Sequence, residues 1–206
     1  MRAQAKKTEA AEVVDTRTRI VRATALFLQR QGYEGTSIKR IGAEAGVTPG
    51  SVYHFFPGGK EQLAAEALRY GAEEFTELLR SGLDSTPDPA DAVAACALLL
   101  ADSLRESEWT DGCPVAAAAL ETIGASPEIQ RASDESLQHW QSLLANKLTS
   151  GGIAEEPARA LACTIISTME GAELLCRVSA SDQPLRTAAQ HLAQLVRLQE
   201  RSTGAE

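Results

Sequence analysis

Residues 38–56, IKRIGAEAGVTPGSVYHFF, carry apolar positions at helical spacing on both sides of a Gly-Val-Thr-Pro turn, and few folds satisfy that pattern. Ile38, Ile41 and Ala45 fall on one stripe of a short helix, while Val52, Phe55 and Phe56 give a second helix its inward side. Gly46 suits the positive φ that ends a helix, and apolar Val47 plugs the corner. Thr48 is a good N-cap, and Pro49 suits the first helical position, where its missing N–H has no partner to lose. Gly42 stands where the two helices cross; having no side chain, it lets the second helix approach closely for a propensity cost of about 1 kcal/mol. Two short amphipathic helices joined in this way form the device that sets the second helix into the major groove of DNA.

Flanking segments supply the rest of a small head. Ile20, Ala23, Phe27 and Leu28 make an apolar stripe on a helix over about 16–31, stopped by Gly32. Thr36 or Ser37 caps the helix that holds Ile38. Gly58 and Gly59 break the chain before Lys60 opens a long helix, KEQLAAEALRYGAEEFTELLR. The expectation is a compact three-helix head feeding a long connecting helix.

The run from Arg19 to Leu63 resembles the N-terminal domain of TetR-type transcriptional regulators, whose usual form ends in Tyr-His-Phe-Phe-Pro, a short turn and Lys-Glu. Most members carry one small polar residue between that Pro and that Lys, whereas here Gly58 and Gly59 separate Pro57 from Lys60. The doubled glycine, with DGCPVAAAALET at 111–122, resembles the LmrA and YxaF subgroup. The resemblance implies an all-α chain: a helix-turn-helix DNA-binding head over 16–62, and a larger helical ligand-binding and dimerisation domain over 63–206. It also implies operator DNA and a small-molecule effector as partners.

Charge tests the DNA reading independently. The chain carries a net charge of -8, which argues against a nonspecific coat for nucleic acid. Its parts differ: residues 1–60 hold 10 Lys and Arg against 5 Asp and Glu, and residues 61–206 hold 10 against 23. A basic head on an acidic body directs the head toward phosphate.

Candidate DNA contacts follow from chemistry. Thr48, Pro49, Gly50 and Ser51 form the first turn of the second helix, where short side chains let backbone and hydroxyls reach base edges. Tyr53 and His54 resemble the family's phosphate and base-edge contacts; Tyr53 also suits a core aromatic, and His54 a plain surface histidine. Arg17 and Arg19 on the supporting helix, Thr36 and Ser37 at the start of the next, Lys39 and Arg40 on it, and Lys60 beyond the glycines are candidate clamps on the phosphate backbone.

Residues 1–15 are short, polar and charged, and read as a flexible arm rather than a signal peptide or anchor; Arg2, Lys6 and Lys7 suit either a solvated tail or a minor-groove contact. No stretch approaches the roughly 20 apolar residues of a membrane span, so a cytoplasmic protein is expected. Gly82, Pro87 and Pro89 mark a break after the connecting helix. Beyond it, helices are expected over about 90–108, 114–123, 127–149, 155–178 and 184–201, with a loop at Trp109–Pro114.

The last two of these helices are apolar on a broad face, through Ala158, Leu161, Ala162, Ile165, Ile166, Met169, Ala172 and Leu175, then Leu185, Ala188, Ala189, Leu192, Leu195, Val196 and Leu198. Such a pair needs a cover, which either the body of the same chain or a twofold partner can supply, and the resemblance implies a homodimer built on a four-helix interface. It also places the effector among Trp109, Leu120, Trp140, Leu144, Met169 and Glu173. The bulky members suit an ordinary core equally well, whereas Glu173 on an otherwise apolar face needs a partner or a ligand if buried.

Cys96, Cys113, Cys163 and Cys176 form no CxxC pair and have no nearby histidine, so no metal site or cofactor is expected. No nucleophile elbow, phosphate-binding loop, dinucleotide fingerprint or HExxH is present, so no catalytic residue is expected. The favoured reading is a ligand-responsive repressor. Its rival is a helical small-molecule-binding module, or an unusual enzyme, that retains the head as a relic.

Overall fold

A computed structural model describes the residues 16–202 with their side chains, together with the helical backbone that completes α1 and α9. The expected arm over 1–15, with Arg2, Lys6 and Lys7, lies outside the described side chains. The helices are α1 (Arg2–Gln31), α2 (Ile38–Ala45), α3 (Pro49–Phe55), α4 (Gly59–Asp84), α5 (Pro89–Glu106), α6 (Pro114–Thr122), α7 (Pro127–Ser150), α8 (Glu155–Ser179) and α9 (Gln183–Thr203). Among the described residues there is no strand, and no helix is long and apolar enough to cross a membrane.

The chain divides into two compact units, and the division is not sequential: residues up to Ala72 join Pro114–Ser133, while Glu73–Cys113 join the chain from Asp134 onward. The first unit holds α1, α2, α3, the first part of α4, α6 and the opening of α7 up to Ser133. Its core is Ile20, Leu28, Ile41, Val52 and Phe56, which belong to the stripes that the periodicity predicts on three helices, together with Leu63 and Leu68 of α4. Helix α6 packs along α1. Its first residue, Pro114, packs closely against Gly71: a Cβ there would stand 3.1 Å from Pro114 Cγ, a tight contact.

The second unit holds the rest of α4, then α5, most of α7, α8 and α9. Helix α5 packs against both α8 and α9, and its Val93, Ala97, Leu100 and Leu104 are buried. Gly82 corrects the sequence reading. It lies inside α4 rather than ending it, because α5 comes so close there that a Cβ would meet Cys96 backbone atoms at 2.8 Å. The chain turns only after Asp84, and Asp88 caps α5 by accepting the Asp91 N–H at 2.8 Å.

Trp140 is wholly buried on α7; its indole N–H donates to the Thr76 hydroxyl at 3.0 Å, and its ring meets Phe75 edge-on at 4.4 Å. Residues 107–113 connect α5 to α6, and both Glu108 and Trp109 take positive φ. Helix α8 holds this connection: Arg177 donates to the carbonyls of Trp109 and Thr110, and Glu173 accepts the Cys113 N–H.

Candidate nucleic-acid interface

The turn between α2 and α3 is built as its residue types require. Ser37 caps α2 by accepting the Arg40 N–H. Gly46 ends it at φ 67°, in the left-handed region. Val47 N–H donates to Gly42 O at 2.8 Å, and a Cβ on Gly42 would stand 2.9 Å from Val47 O, so the turn backbone occupies the space a side chain would need. Thr48 then caps α3: its hydroxyl accepts the Ser51 N–H at 3.2 Å, with Pro49 in the first turn.

One side of α3 is buried through Val52, and Phe56 just beyond the helix is buried too. The other side is open. Thr48, Pro49, Gly50 and His54 are exposed, Ser51 is half-buried, and Tyr53 is 54% exposed, which removes the core-aromatic alternative for it. The exposed N-terminal turn presents small side chains and two hydroxyls, Thr48 and Ser51, 3.0 Å apart. Ser37 and Lys39 are exposed at the start of α2, and Gly59, at φ 70°, opens α4 with Lys60 beside it.

The remaining candidates have structural partners. Arg17 pairs with Glu66 and lies over the Phe56 ring, with its guanidinium carbon 4.9 Å from the centroid. Lys60 Nζ lies 4.0 Å from the Tyr33 ring centroid. Thr36 requires a correction: it is only 2% exposed and its hydroxyl donates to Gly32 O at 2.7 Å, so it fixes the α1–α2 turn instead of facing outward. The doubled glycine does local work of its own, since Gly58 N–H donates to Gln62 Oε1 at 2.9 Å across the first turn of α4.

The expected effector residues divide between the units. Leu120 lies on α6 in the first unit and is 77% exposed, which corrects its placement in an apolar enclosure. The others belong to the second unit. Trp140 and Leu144 are buried one turn apart on α7, Met169 and Glu173 are buried one turn apart on α8, and Trp109 is half-buried in the α5–α6 connection.

Glu173 is 4% exposed, and its partner is the Cys113 N–H at 2.5 Å. Burial, reinforced by the neighbouring Glu170 and opposed by the Cys113 N–H and Arg177, raises its pKa to about 8. Glu170 is also raised, by burial against a hydrogen bond from Cys113. Cys96 is buried, donates to Leu79 O at 3.5 Å, and is pushed up to about 12 by burial.

The expected dimer face also needs correcting in detail. Ala158, Leu161, Ala162, Ile165, Ile166, Met169 and Ala172 on α8, and Leu185, Ala188, Ala189, Leu192 and Val196 on α9, are buried within one chain. What remains exposed is a narrower set: Leu174, Leu175 and Val178 on α8, Leu195 and Leu198 on α9. Leu174 escapes the helical stripe read from the sequence because it lies one step round from it, and Val178, three residues after Leu175, stands beyond the last residue that the stripe was read to.

Comparison with known proteins agrees with this geometry over both halves of the chain. A family model for bacterial regulatory proteins of the tetR family matches residues 20–67. A second, for the C-terminal domain of LmrA/YxaF-like transcriptional regulators, matches residues 89–191. The HTH-type transcriptional regulator YxaF of Bacillus subtilis is 33% identical over 183 residues, 89% of this chain and 96% of that protein. LmrA of the same organism, also an HTH-type transcriptional regulator, is 33% identical over 83% of this chain and 91% of that one. A TetR transcriptional regulator from Chloroflexus aurantiacus, solved by crystallography, superposes with a TM-score of 0.77 at 31% identity, covering 92% of this chain and 98% of its own. A reading turn of small exposed side chains, a buried helical scaffold behind it and relatives matched along nearly their whole length agree: the chain belongs to the TetR family of DNA-binding transcriptional regulators, in its LmrA/YxaF-like branch.

Proposed function

We propose that this regulator is a homodimeric repressor that leaves its operator when a small hydrophobic or aromatic molecule occupies the second unit. The single observation that carries the DNA half is the exposed first turn of α3, Thr48 to Ser51, held rigidly by α2 behind it. Base edges are read there by Thr48, Gly50, Ser51 and His54, and Ser37, Lys39, Tyr53 and Lys60 hold phosphate; Arg17 joins them on release from Glu66. Two such helices must be held about 34–36 Å apart to enter successive major grooves, and the exposed apolar strip on α8 and α9 supplies the twofold contact.

The effector half rests on Trp109, Trp140, Leu144, Met169 and Glu173, a mainly apolar set with one carboxyl group, the composition of a small-molecule site. An effector that binds better to the arrangement unsuited to DNA shifts the population toward it, and α4, continuous from Gly59 to Asp84, is the element that links the two tasks. The protein acts in the cytoplasm, where its DNA is, and the role calls on no catalytic group.

Capture of genomic fragments by the purified full-length chain, followed by sequencing and retardation assays, tests this reading. A palindromic site bound at least about a hundredfold more tightly than random DNA is the expected result. Equal affinity for specific and random fragments overturns it.

A further inference from the structure

The turn that leads from α1 into α2 is held by a residue from a distant part of the chain. Glu121, on α6, accepts the Glu34 N–H with Oε2 at 2.8 Å, across a sequence separation of 87 residues. Its other oxygen lies where a side chain at position 32 would begin, since a Cβ on Gly32 would stand 2.4 Å from Oε1. Gly32 is a glycine because it turns the chain at φ 71°, and the end of the exposed Glu121 side chain takes up the space beside it.

The same turn is secured from within. Gly32 N–H donates to Leu28 O at 3.0 Å, Thr36 donates to Gly32 O, and Arg40 on α2 donates to Gln31 Oε1 at 2.7 Å. Only Glu121 reaches this turn from beyond the first four helices among these contacts. It does so on a helix with two further fixings in the same unit. Pro114 fills the space beside Gly71, and Ser126, just after α6, donates to Glu61 Oε1 at 2.5 Å while accepting the Ile129 N–H that begins α7. Helix α6 and the corner after it thus grip α1, the α1–α2 turn and the start of α4, the three elements that carry α2 and α3.

We infer that Glu121 is a positioning residue for operator reading: through the Glu34 amide and Gly32 it sets the angle at which α2, and with it α3, leaves α1. The inference rests on the DNA-reading function proposed above, and it assigns part of the reading geometry to a helix outside the helix-turn-helix. The carboxylate works as an acceptor, so its charge is dispensable and its oxygen is not. A displaced α6 pulls on the α1–α2 turn directly.

Three full-length proteins test it: unmodified, Glu121→Gln and Glu121→Ala. Operator affinity is read at fixed salt, thermal midpoint by circular dichroism, and backbone amide exchange over residues 32–47 without DNA. Loss of this hydrogen bond in Glu121→Ala is expected to weaken operator binding about tenfold and to speed exchange at Glu34 and along α2. The melting midpoint should move by less than about 4 °C. Glu121→Gln keeps an acceptor oxygen and is expected to stay within about threefold of the unmodified protein. Three results each overturn the assignment: unchanged exchange in Glu121→Ala, operator affinity within twofold in that variant, or a Gln variant as impaired as the Ala variant. Should the unmodified protein show no operator preference, the DNA-reading function falls, and the exchange data alone decide whether Glu121 holds α2.

Discussion

Arg19 closes the C-terminal end of α2: its Nε and Nη2 donate to the Ala45 carbonyl at 3.1 and 2.6 Å. That carbonyl belongs to the last turn of α2, where no intrahelical N–H is available, and a cation there also opposes the negative end of the helix dipole. The side chain comes from α1, so the bond locks the supporting helix to the reading motif. Arg19→Ala is expected to destabilise the first unit by about 1–2 kcal/mol, with Arg19→Lys intermediate because it keeps the charge and loses the two-point geometry. Urea unfolding followed by circular dichroism measures both. Equal midpoints for all three proteins would show that Arg19 is replaceable.

Lys39 and Gly50 should fail in different ways. Lys39 is exposed on α2, and its removal is expected to lower the slope of log affinity against log salt by about 1, uniformly across DNA sequences. Gly50 has room for a methyl group within the protein, since its Cβ would come no nearer than 3.7 Å to Thr48 Oγ1. Gly50→Ala should therefore keep its melting point and lose operator affinity about tenfold, because the obstruction arises only against the floor of the groove. Retardation assays at several salt concentrations separate the two effects; a Gly50→Ala protein with full affinity removes the close approach.

Glu173 links stability to pH. Its pKa is about 8 in the folded chain against an ordinary value of 4.5, so between those values the folded state binds the extra proton and the unfolded state does not. Stability is thus expected to fall as pH rises through this window and to level off above it. Burial sets this value first; Glu170 on the same helix raises it further, and the Cys113 N–H opposite and Arg177 oppose the rise. Glu173→Gln keeps an acceptor for the Cys113 N–H and should flatten the profile, so the gap between the two proteins widens from pH 5 to pH 8. Thermal melts across that range decide it; parallel profiles place the proton elsewhere.

Val178 is 79% exposed near the end of α8, with Leu174 and Leu175 beside it. Val178→Asp together with Leu175→Asp places two charges on the strip proposed as the twofold contact, without touching the buried face of α8. Sedimentation velocity should show a folded monomer with weakened operator binding. A dimer of unchanged stability moves the contact to another face.

Much of this architecture was legible because helical spacing and helix ends speak locally. The Ile41, Ala45 and Val52 stripes, the Thr48 cap and the Gly46 stop each depend on residues within one turn, and each is found where the spacing puts it. Gly82 was misread for the same reason. A glycine inside a helix looks like a break until the chain that approaches it is known, and Cys96 lies fourteen positions away on another helix. Thr36 and Leu120 were misplaced by a parallel limit, since a threonine before a helix and a leucine on an apolar one give no sign of which way they face. Glu121 left no local signal of its role: it is exposed, as an acid at the end of an alanine-rich helix reads, and only the fold brings its carboxylate to the Glu34 N–H beside Gly32.

The first unit takes in residues 114–133, so the DNA-reading part is not a continuous stretch of polypeptide. Chimeric regulators are naturally designed by exchanging everything after the first four helices. In this protein such a cut leaves behind the alanine-rich segment that grips the α1–α2 turn. A graft that keeps α1 to α4 intact but lacks an acceptor opposite Gly32 would carry every DNA contact and still present them at the wrong angle, so the transplantable piece has to be chosen from the fold rather than from the order of the residues.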